Sequence, residues 1–227
     1  MFDSYHAISD TPVSSSTLRA SGWFPRYSRT RFCESAKRAL DVTVAVAVLL
    51  VFAWAFAAIA LAVAVESKGP ILFRQRRTGR HGEIFTIFKF RSMTVTEDGD
   101  AIAHATKDDM RVTRVGAFIR RTSLDELPQL LNVVRGDMSL VGPRPHALAH
   151  DAHYGAIVPG YSERFAVRPG LTGLAQVQGH RGEIHTLDCM ARRIAADVDY
   201  AKGWSFFDDV VILARTVPLL VARTNAY

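Results

Sequence analysis

The chain has 227 residues, 48% of them hydrophobic, and a formal net charge of +6. That length holds one well-buried domain with residues to spare for a tail or a membrane segment, and the basic excess is mostly arginine, whose planar fork suits phosphate. Its two cysteines, Cys33 and Cys189, form no CxxC pair, which argues against a disulfide framework or a thiolate zinc site and fits a reducing compartment.

Residues 1–36 are rich in Ser, Thr and Arg, have no sustained periodicity, and read as a disordered basic tail. Residues 37–66 read as a membrane anchor. The run VTVAVAVLLVFAWAFAAIALAVAV, Val42 to Val65, is uncharged over about 24 residues. As a helix it would be roughly 36 Å long, against a hydrocarbon core of about 30 Å. It is too long, and starts too far from Met1, for a secretory signal. Arg26, Arg29, Arg31, Lys37 and Arg38 precede it while Lys68, Arg74, Arg76, Arg77 and Arg80 follow. A helix that enters the bilayer, bends and leaves by the same face satisfies both flanks, whereas a straight span satisfies one. The bend is expected near Ala53-Trp54, which supplies no proline to cause it.

The segment ILFRQRRTGRHGEIFTIFKFRSM predicts a small β-hairpin with Phe85, Ile87, Lys89 and Arg91 on one face of its second strand. Two cations on an apolar strand fit either an edge guarded by charge or a binding site. The polar stretch TVTEDGDAIAHATKDD predicts a loop, and its Asp98-Gly99-Asp100 imitates the metal-binding DxD of nucleotide-sugar glycosyltransferases.

Two adjacent carboxylates then appear in RTSLDELPQLLNVVRGDMSLVGPRP. Ser123-Leu124-Asp125-Glu126 has the form of a capping box and Pro128 is tolerable only near a helix start, so Asp125 and Glu126 belong in or beside a first turn. Capping alone would explain them. Arg120 and Arg121 before them, Arg144 inside Pro-Arg-Pro, and Arg168 ahead of the Pro-Gly turn in VRPGLTG instead suggest a polyphosphate site. An aspartate ionised near neutral pH can attack phosphorus without a base, provided a metal ion and arginines screen the phosphate.

From Lys37 to Tyr227 the chain resembles the bacterial sugar transferases, the monotopic polyprenyl-phosphate hexose-1-phosphate transferases. The resemblance runs in order through KRALD, KFRSM, SLDELPQLLNVVRGDMSLVGPRP, VRPGLTGLAQV and DVDYAKGWSFFDDVVIL. It implies an α+β protein at the cytoplasmic face of the bacterial inner membrane, with a re-entrant helix, the hairpin, amphipathic interfacial helices, and a phosphoglycosyl transferase domain over residues 67–227. It further implies that Asp125 takes the sugar phosphate from a nucleotide sugar, releasing the nucleoside monophosphate, and that undecaprenyl phosphate then collects it for exopolysaccharide or other surface-glycan synthesis. Glu126 would help Asp125 hold Mg2+, with Lys89, Arg91, Arg120, Arg144, Arg168 and Asp197 as the surrounding substrate site. Partners so implied are a UDP-hexose, undecaprenyl phosphate and the membrane, with a homodimer or other glycan-assembly enzymes as further possibilities.

GPRPHALAHDAHY and QGHRGEIHTLDCM resemble the undecaprenyl-phosphate glucose phosphotransferase branch, which favours UDP-glucose, although His180 and Ile184-His185 depart from the branch pattern. The family's bend uses Ser-Pro where this chain has Ala53-Trp54. His146, His150 and His153 fall close to metal-ligand spacing on a helix face, but a hard, oxygen-bound Mg2+ suits phosphoryl transfer better than zinc, and these histidines could instead contact phosphate. The C-terminal WSFFDDVVILARTVPLLVARTNAY fits a helix in the headgroup region or a terminal core helix. The alternative enzyme is a glycosyltransferase using Asp98 and Asp100, but the repeated strand-helix alternation expected before its DxD is missing. A nucleic-acid binder is disfavoured because the basic residues are scattered among Pro-Gly turns.

Overall fold

A computed structural model of the protein describes residues 31–94, 109–181 and 186–221. Two helices lead, α1 (Arg31–Val51) and α2 (Ala53–Glu66), followed by an antiparallel hairpin of β1 (Leu72–Thr78) and β2 (Ile84–Phe90). Then come α3 (Arg114–Arg121), a 3-10 turn (Leu124–Glu126), α4 (Gln129–Arg135), β3 (Ser139–Val141) and α5 (Leu148–Ile157). A second 3-10 turn (Tyr161–Ala166), β4 (Gly170–Thr172), α6 (Leu174–Val177), α7 (Leu187–Gly203) and α8 (Phe206–Val221) complete the described chain. The strands β3 and β4 form a short parallel pair, with Ser139 opposite Gly170 and Val141 opposite Thr172. Among the described residues the architecture is thus α+β, helices with two separate two-stranded sheets.

The start of α1 is part of the globule. Lys37 Nζ donates to Val141 O at 3.0 Å and to Asp209 Oδ2 at 2.7 Å, and Asp209 also accepts from Tyr200 OH and Trp204 Nε1. Arg38 donates to Val133 O and Val134 O in the last turn of α4, while Asp41 accepts from Ser139 Oγ and Leu140 N. Residues of KRALD therefore clasp the closing DVDYAKGWSFFDD segment, and Ala45 one turn on is wholly buried beside Trp204 and Ile212. Residues 31–36, read as tail, are helical because Cys33 packs on the core and Glu34 faces Arg80, and the expected anchor shares its first turns with the folded domain. Residues 1–30 of the expected tail lie outside the described residues.

The apolar run is broken at Phe52, one or two residues before the expected place, and the two helices are bent by 65°. Among the described residues no single helix is long and apolar enough to cross a membrane. The bend follows from what each arm packs against. While α1 is held as described, α2 lays Phe56 against Phe90, with ring centroids 5.7 Å apart, and buries Val63 with Phe90 and Ile119. Glu66 at the end of α2 accepts from Val115 N in the first turn of α3. Both arms are fastened to the same body, and the elbow between them exposes Leu50, Val51, Phe52 and Trp54.

Candidate active site

Between α3 and α4 the chain turns through Ser123, whose φ of 59° lies in the left-handed region, uncommon for a residue other than glycine. The expected capping box does not form. Ser123 makes no side-chain cap; its Oγ accepts instead from Arg181 Nη2 at 2.7 Å. The Glu126 side chain has turned away toward Lys89 Nζ, 2.8 Å from Oε1, and toward Arg144, whose Nη1 donates to Oε2 at 3.0 Å and whose Nη2 donates to Oε1. Charge-assisted bonds of this kind are stronger than a neutral cap, so the sequence that reads as a cap folds as an ion cluster.

The two neighbouring carboxylates thereby acquire different characters. Burial opposes the charge on Glu126, but Arg144 and Lys89 outweigh it and hold the carboxyl well below the usual range. Burial and the adjacent Glu126 push Asp125 up to about 6, against the pull of Lys89, Arg120 and Arg144. Burial lowers the Lys89 ammonium despite Glu126. Near neutral pH Asp125 is thus an ionised carboxylate whose charge is incompletely compensated, and among the described residues no side-chain donor is bonded to it.

The Pro143-Arg144-Pro145 frame is fixed through its carbonyls, since neither proline has an N–H to give. Gly170 N donates to Pro143 O at 2.9 Å, Arg164 Nη2 donates to Arg144 O, and Arg77 Nη1 donates to Pro145 O at 3.2 Å. The first of these contacts explains the glycines of VGPRP and VRPGLTG. A Cβ on Gly170 would stand 2.1 Å from Gly142 N, and one on Gly142 would stand 2.3 Å from Arg168 O. Only glycine lets these backbones approach so closely.

Of the site residues expected from sequence, the structure brings Lys89, Arg120 and Arg144 to Asp125 and Glu126, and it places three others elsewhere. Arg91 donates to Val63 O, Ser67 O and Ser67 Oγ, closing the end of α2, because β2 stops at Phe90 and the alternation of faces stops with it. Arg168 Nε donates to Gly136 O at 2.9 Å, joining Arg38 at the carbonyl end of α4. Asp197 is buried on α7 against Arg164, 2.8 Å from Nη2 and 3.2 Å from Nε. The three histidines form no metal-ligand set. His146 precedes α5 and is buried beside Tyr161 OH at 2.7 Å, and among the described residues no group of three His, Cys, Asp or Glu side chains could hold a metal. Asp98-Gly99-Asp100 and Ile184-His185 lie outside the described residues.

Sequence reasoning missed Arg77, Arg164 and Arg181. Arg77 had a readable signal, since Phe73, Gln75 and Arg77 alternate on the face of β1 that pairs with Phe85, Ile87 and Lys89. A single buried arginine in a 3-10 turn, such as Arg164, has no periodic signature.

The residues fit a magnesium ion. Glu126 Oε1 is taken by Lys89 and Arg144, but Oε2 has one bonded donor, and Asp125 would gain from any cation that relieves its repulsion. A pair of carboxylates completed by phosphate oxygens and water is how Mg2+ is usually held.

Residues 32–223 match the family described as bacterial sugar transferase. The chain is 50% identical over 211 residues to a UDP-glucose:undecaprenyl-phosphate glucose-1-phosphate transferase of Caulobacter vibrioides, covering 93% of this chain and 78% of that protein. It is 49% identical over 181 residues to the protein of the same name from Escherichia coli strain K12, covering 80% of this chain and 39% of that relative. An exopolysaccharide production protein of Rhizobium leguminosarum is 44% identical over 195 residues, with 84% of this chain and 98% of that protein covered. The chain thus spans most of two of these relatives and well under half of the other.

Proposed function

Since the chain belongs to the bacterial sugar transferase family, we propose that it transfers glucose-1-phosphate from UDP-glucose to undecaprenyl phosphate with release of UMP, as a membrane step in exopolysaccharide synthesis. The carrying observation is the split dyad: Glu126 is bound by Lys89 and Arg144, and Asp125 beside it is, among the described residues, unbonded and under-compensated. Half identity to two proteins named for this reaction supports the sugar and the lipid acceptor.

In this reading an Asp125 oxygen attacks the sugar-bearing phosphorus of UDP-glucose. The bond from that phosphorus to the bridging oxygen breaks, UMP leaves with the electron pair, and an aspartyl phosphate carrying the sugar remains. A phosphate oxygen of undecaprenyl phosphate then attacks the same phosphorus and frees Asp125. Lys89, Arg120 and Arg144 supply positive charge where the transferring phosphoryl group would lie. Asp125 and Glu126 would hold Mg2+, which supplies further charge neutralisation on the diphosphate.

The bent α1–α2 pair supports a re-entrant anchor at the cytoplasmic face. Its two arms are tied to one body by Lys37, Arg38 and Asp41 on one side and Arg91 and Glu66 on the other, so a dip into the bilayer would begin and end on the same side. The exposed Leu50, Val51, Phe52 and Trp54 at the elbow would meet lipid.

The test uses the full chain in lipid nanodiscs with UDP-glucose, undecaprenyl phosphate and Mg2+. Release of UMP with formation of a diphosphate-linked lipid is expected. Release of UDP would mean glycosyl transfer and overturn the proposal.

A further inference from the structure

The ion pair between Arg164 and Asp197 lies outside the dyad, and its burial calls for a reason. Both side chains are about nine-tenths buried or more, at 1% and 2% exposure. Taking a guanidinium and a carboxylate out of water is costly, and such pairs are often no more stabilising than apolar side chains of the same volume. What this pair delivers is placement. Arg164 turns Nε and Nη2 to Asp197, and Nη2 also reaches the carbonyl of Arg144. Its Nη1 lies beside His146 Nδ1 at 3.1 Å and Tyr161 OH at 3.3 Å, and Tyr161 OH in turn donates to Asp151. With its whole fork engaged, Arg164 has one orientation available.

Arg77 acts on the next carbonyl. Its Nη1 donates to Pro145 O, and the backbone of Arg77 pairs with that of Ala147, so residues 145–147 run beside the edge of β1. Two guanidiniums on two unrelated elements therefore grip consecutive carbonyls of the one segment from which Arg144 reaches Glu126.

We propose that Arg164, held by Asp197, and Arg77 are positioning residues that act through Arg144, setting the Pro-Arg-Pro backbone so that its guanidinium meets Glu126 and the transferring phosphate in one geometry. This rests on the proposed transferase reading of the site. It assigns Asp197 a role at one remove from substrate, in place of a direct contact.

The experiment is a double-mutant cycle on the full chain in nanodiscs, read as turnover of UDP-glucose, with thermal unfolding followed in parallel. Arg164→Gln and Arg77→Gln are each combined with Arg144→Lys. A displacement of about 1 Å can cost a hundredfold in rate, so each single variant is expected to lose at least about tenfold. If both act through Arg144, adding either to Arg144→Lys should cost less than about threefold more. Asp197→Asn, which keeps an oxygen for Arg164, should retain more activity than Asp197→Ala. Losses that multiply in the double variants would overturn the proposal and leave Arg77 and Arg164 as general supports. Should Arg164→Gln fail to fold, the Arg77 cycle decides alone, since Arg77 sits on a hairpin strand. Turnover of Arg144→Lys within about twofold of wild type would mean that charge alone suffices at this position and would remove the brace, as would independent losses, whereas release of UDP in place of UMP would remove the transferase reading itself.

Discussion

Arg144 holds Glu126 with two nitrogens, Nη1 on Oε2 at 3.0 Å and Nη2 on Oε1, and so occupies one carboxylate of an adjacent pair while the other, among the described residues, stays unbonded. A fork-on-carboxylate contact depends on the planar guanidinium and not only on its charge. Arg144→Lys should therefore lose turnover by roughly tenfold to a hundredfold, equivalent to about 1.4–2.8 kcal/mol of transition-state stabilisation. Steady-state kinetics check it, and a Lys variant within about twofold of wild type would mean that charge alone suffices.

Asp125 makes a prediction about pH and stability. Its folded value of about 6 lies above the ordinary 3.8 because of burial and Glu126, so between about pH 4 and 6 the native state binds more protons than the unfolded chain. The stability that protonated Asp125 contributes is fully present below the unfolded value and is lost as pH rises through about 6. In EDTA at pH 7.5, Asp125→Asn should be more stable than wild type by on the order of 2 kcal/mol. That is a Tm rise of about 4–8 °C for a chain of this size, and the gap should close as pH falls toward 4. Added Mg2+ should raise the Tm of wild type and leave Asp125→Asn nearly unmoved. Equal Mg2+ shifts in both would place the ion elsewhere.

Lys37 and Asp209 tie the first helix to the last, 2.7 Å apart and both largely buried. Lys37→Met leaves the Asp209 carboxylate without its cation and should destabilise the globule by about 3 kcal/mol. Denaturant unfolding in detergent measures this. A change below about 0.5 kcal/mol, the range of ordinary surface substitutions, would mean that α1 is an anchor independent of the folded domain.

Both ends of the bent pair should report from one side of a membrane. In a background lacking Cys33 and Cys189, cysteines at the exposed positions Ser35 and Lys68 should be labelled from the same face of sealed, oriented vesicles. Labelling from opposite faces would establish a span and sink the re-entrant anchor.

Much of this was legible in the sequence, and the failures share a cause. The apolar run, the hairpin and the dyad were readable because each has a local signature: hydrophobic length, alternation, or adjacent carboxylates. The bend at Phe52 has none, since contacts made far away in sequence by Phe56, Val63 and Lys37 set it. Arg91, Arg168 and Asp197 stand out as polar residues within motifs, and the structure has them bonded to backbone ends and in a buried pair. A motif shows that a position matters. It does not show whether the side chain meets substrate or another part of the chain. Lys89 and Arg91 illustrate the limit most plainly: two cations two residues apart read alike, and the end of β2 at Phe90 sends one to Glu126 and the other to Ser67.

The central claim is that Asp125 carries the sugar phosphate covalently and Glu126 does not. The most direct measurement is exchange of labelled UMP into UDP-glucose in the absence of undecaprenyl phosphate, run with Mg2+ on wild type, Asp125→Asn and Glu126→Gln, with intact-protein mass read on the same samples. Wild type should exchange and show a mass increase equal to a hexose phosphate less one water. Asp125→Asn should fold, show no adduct and lose exchange by several orders of magnitude, on the scale of a lost nucleophile. Glu126→Gln should be slow but still trap adduct. An Asp125→Asn enzyme that exchanges at near the wild-type rate would contradict the account, because the first step cannot run backwards without the carboxylate that holds the phosphate.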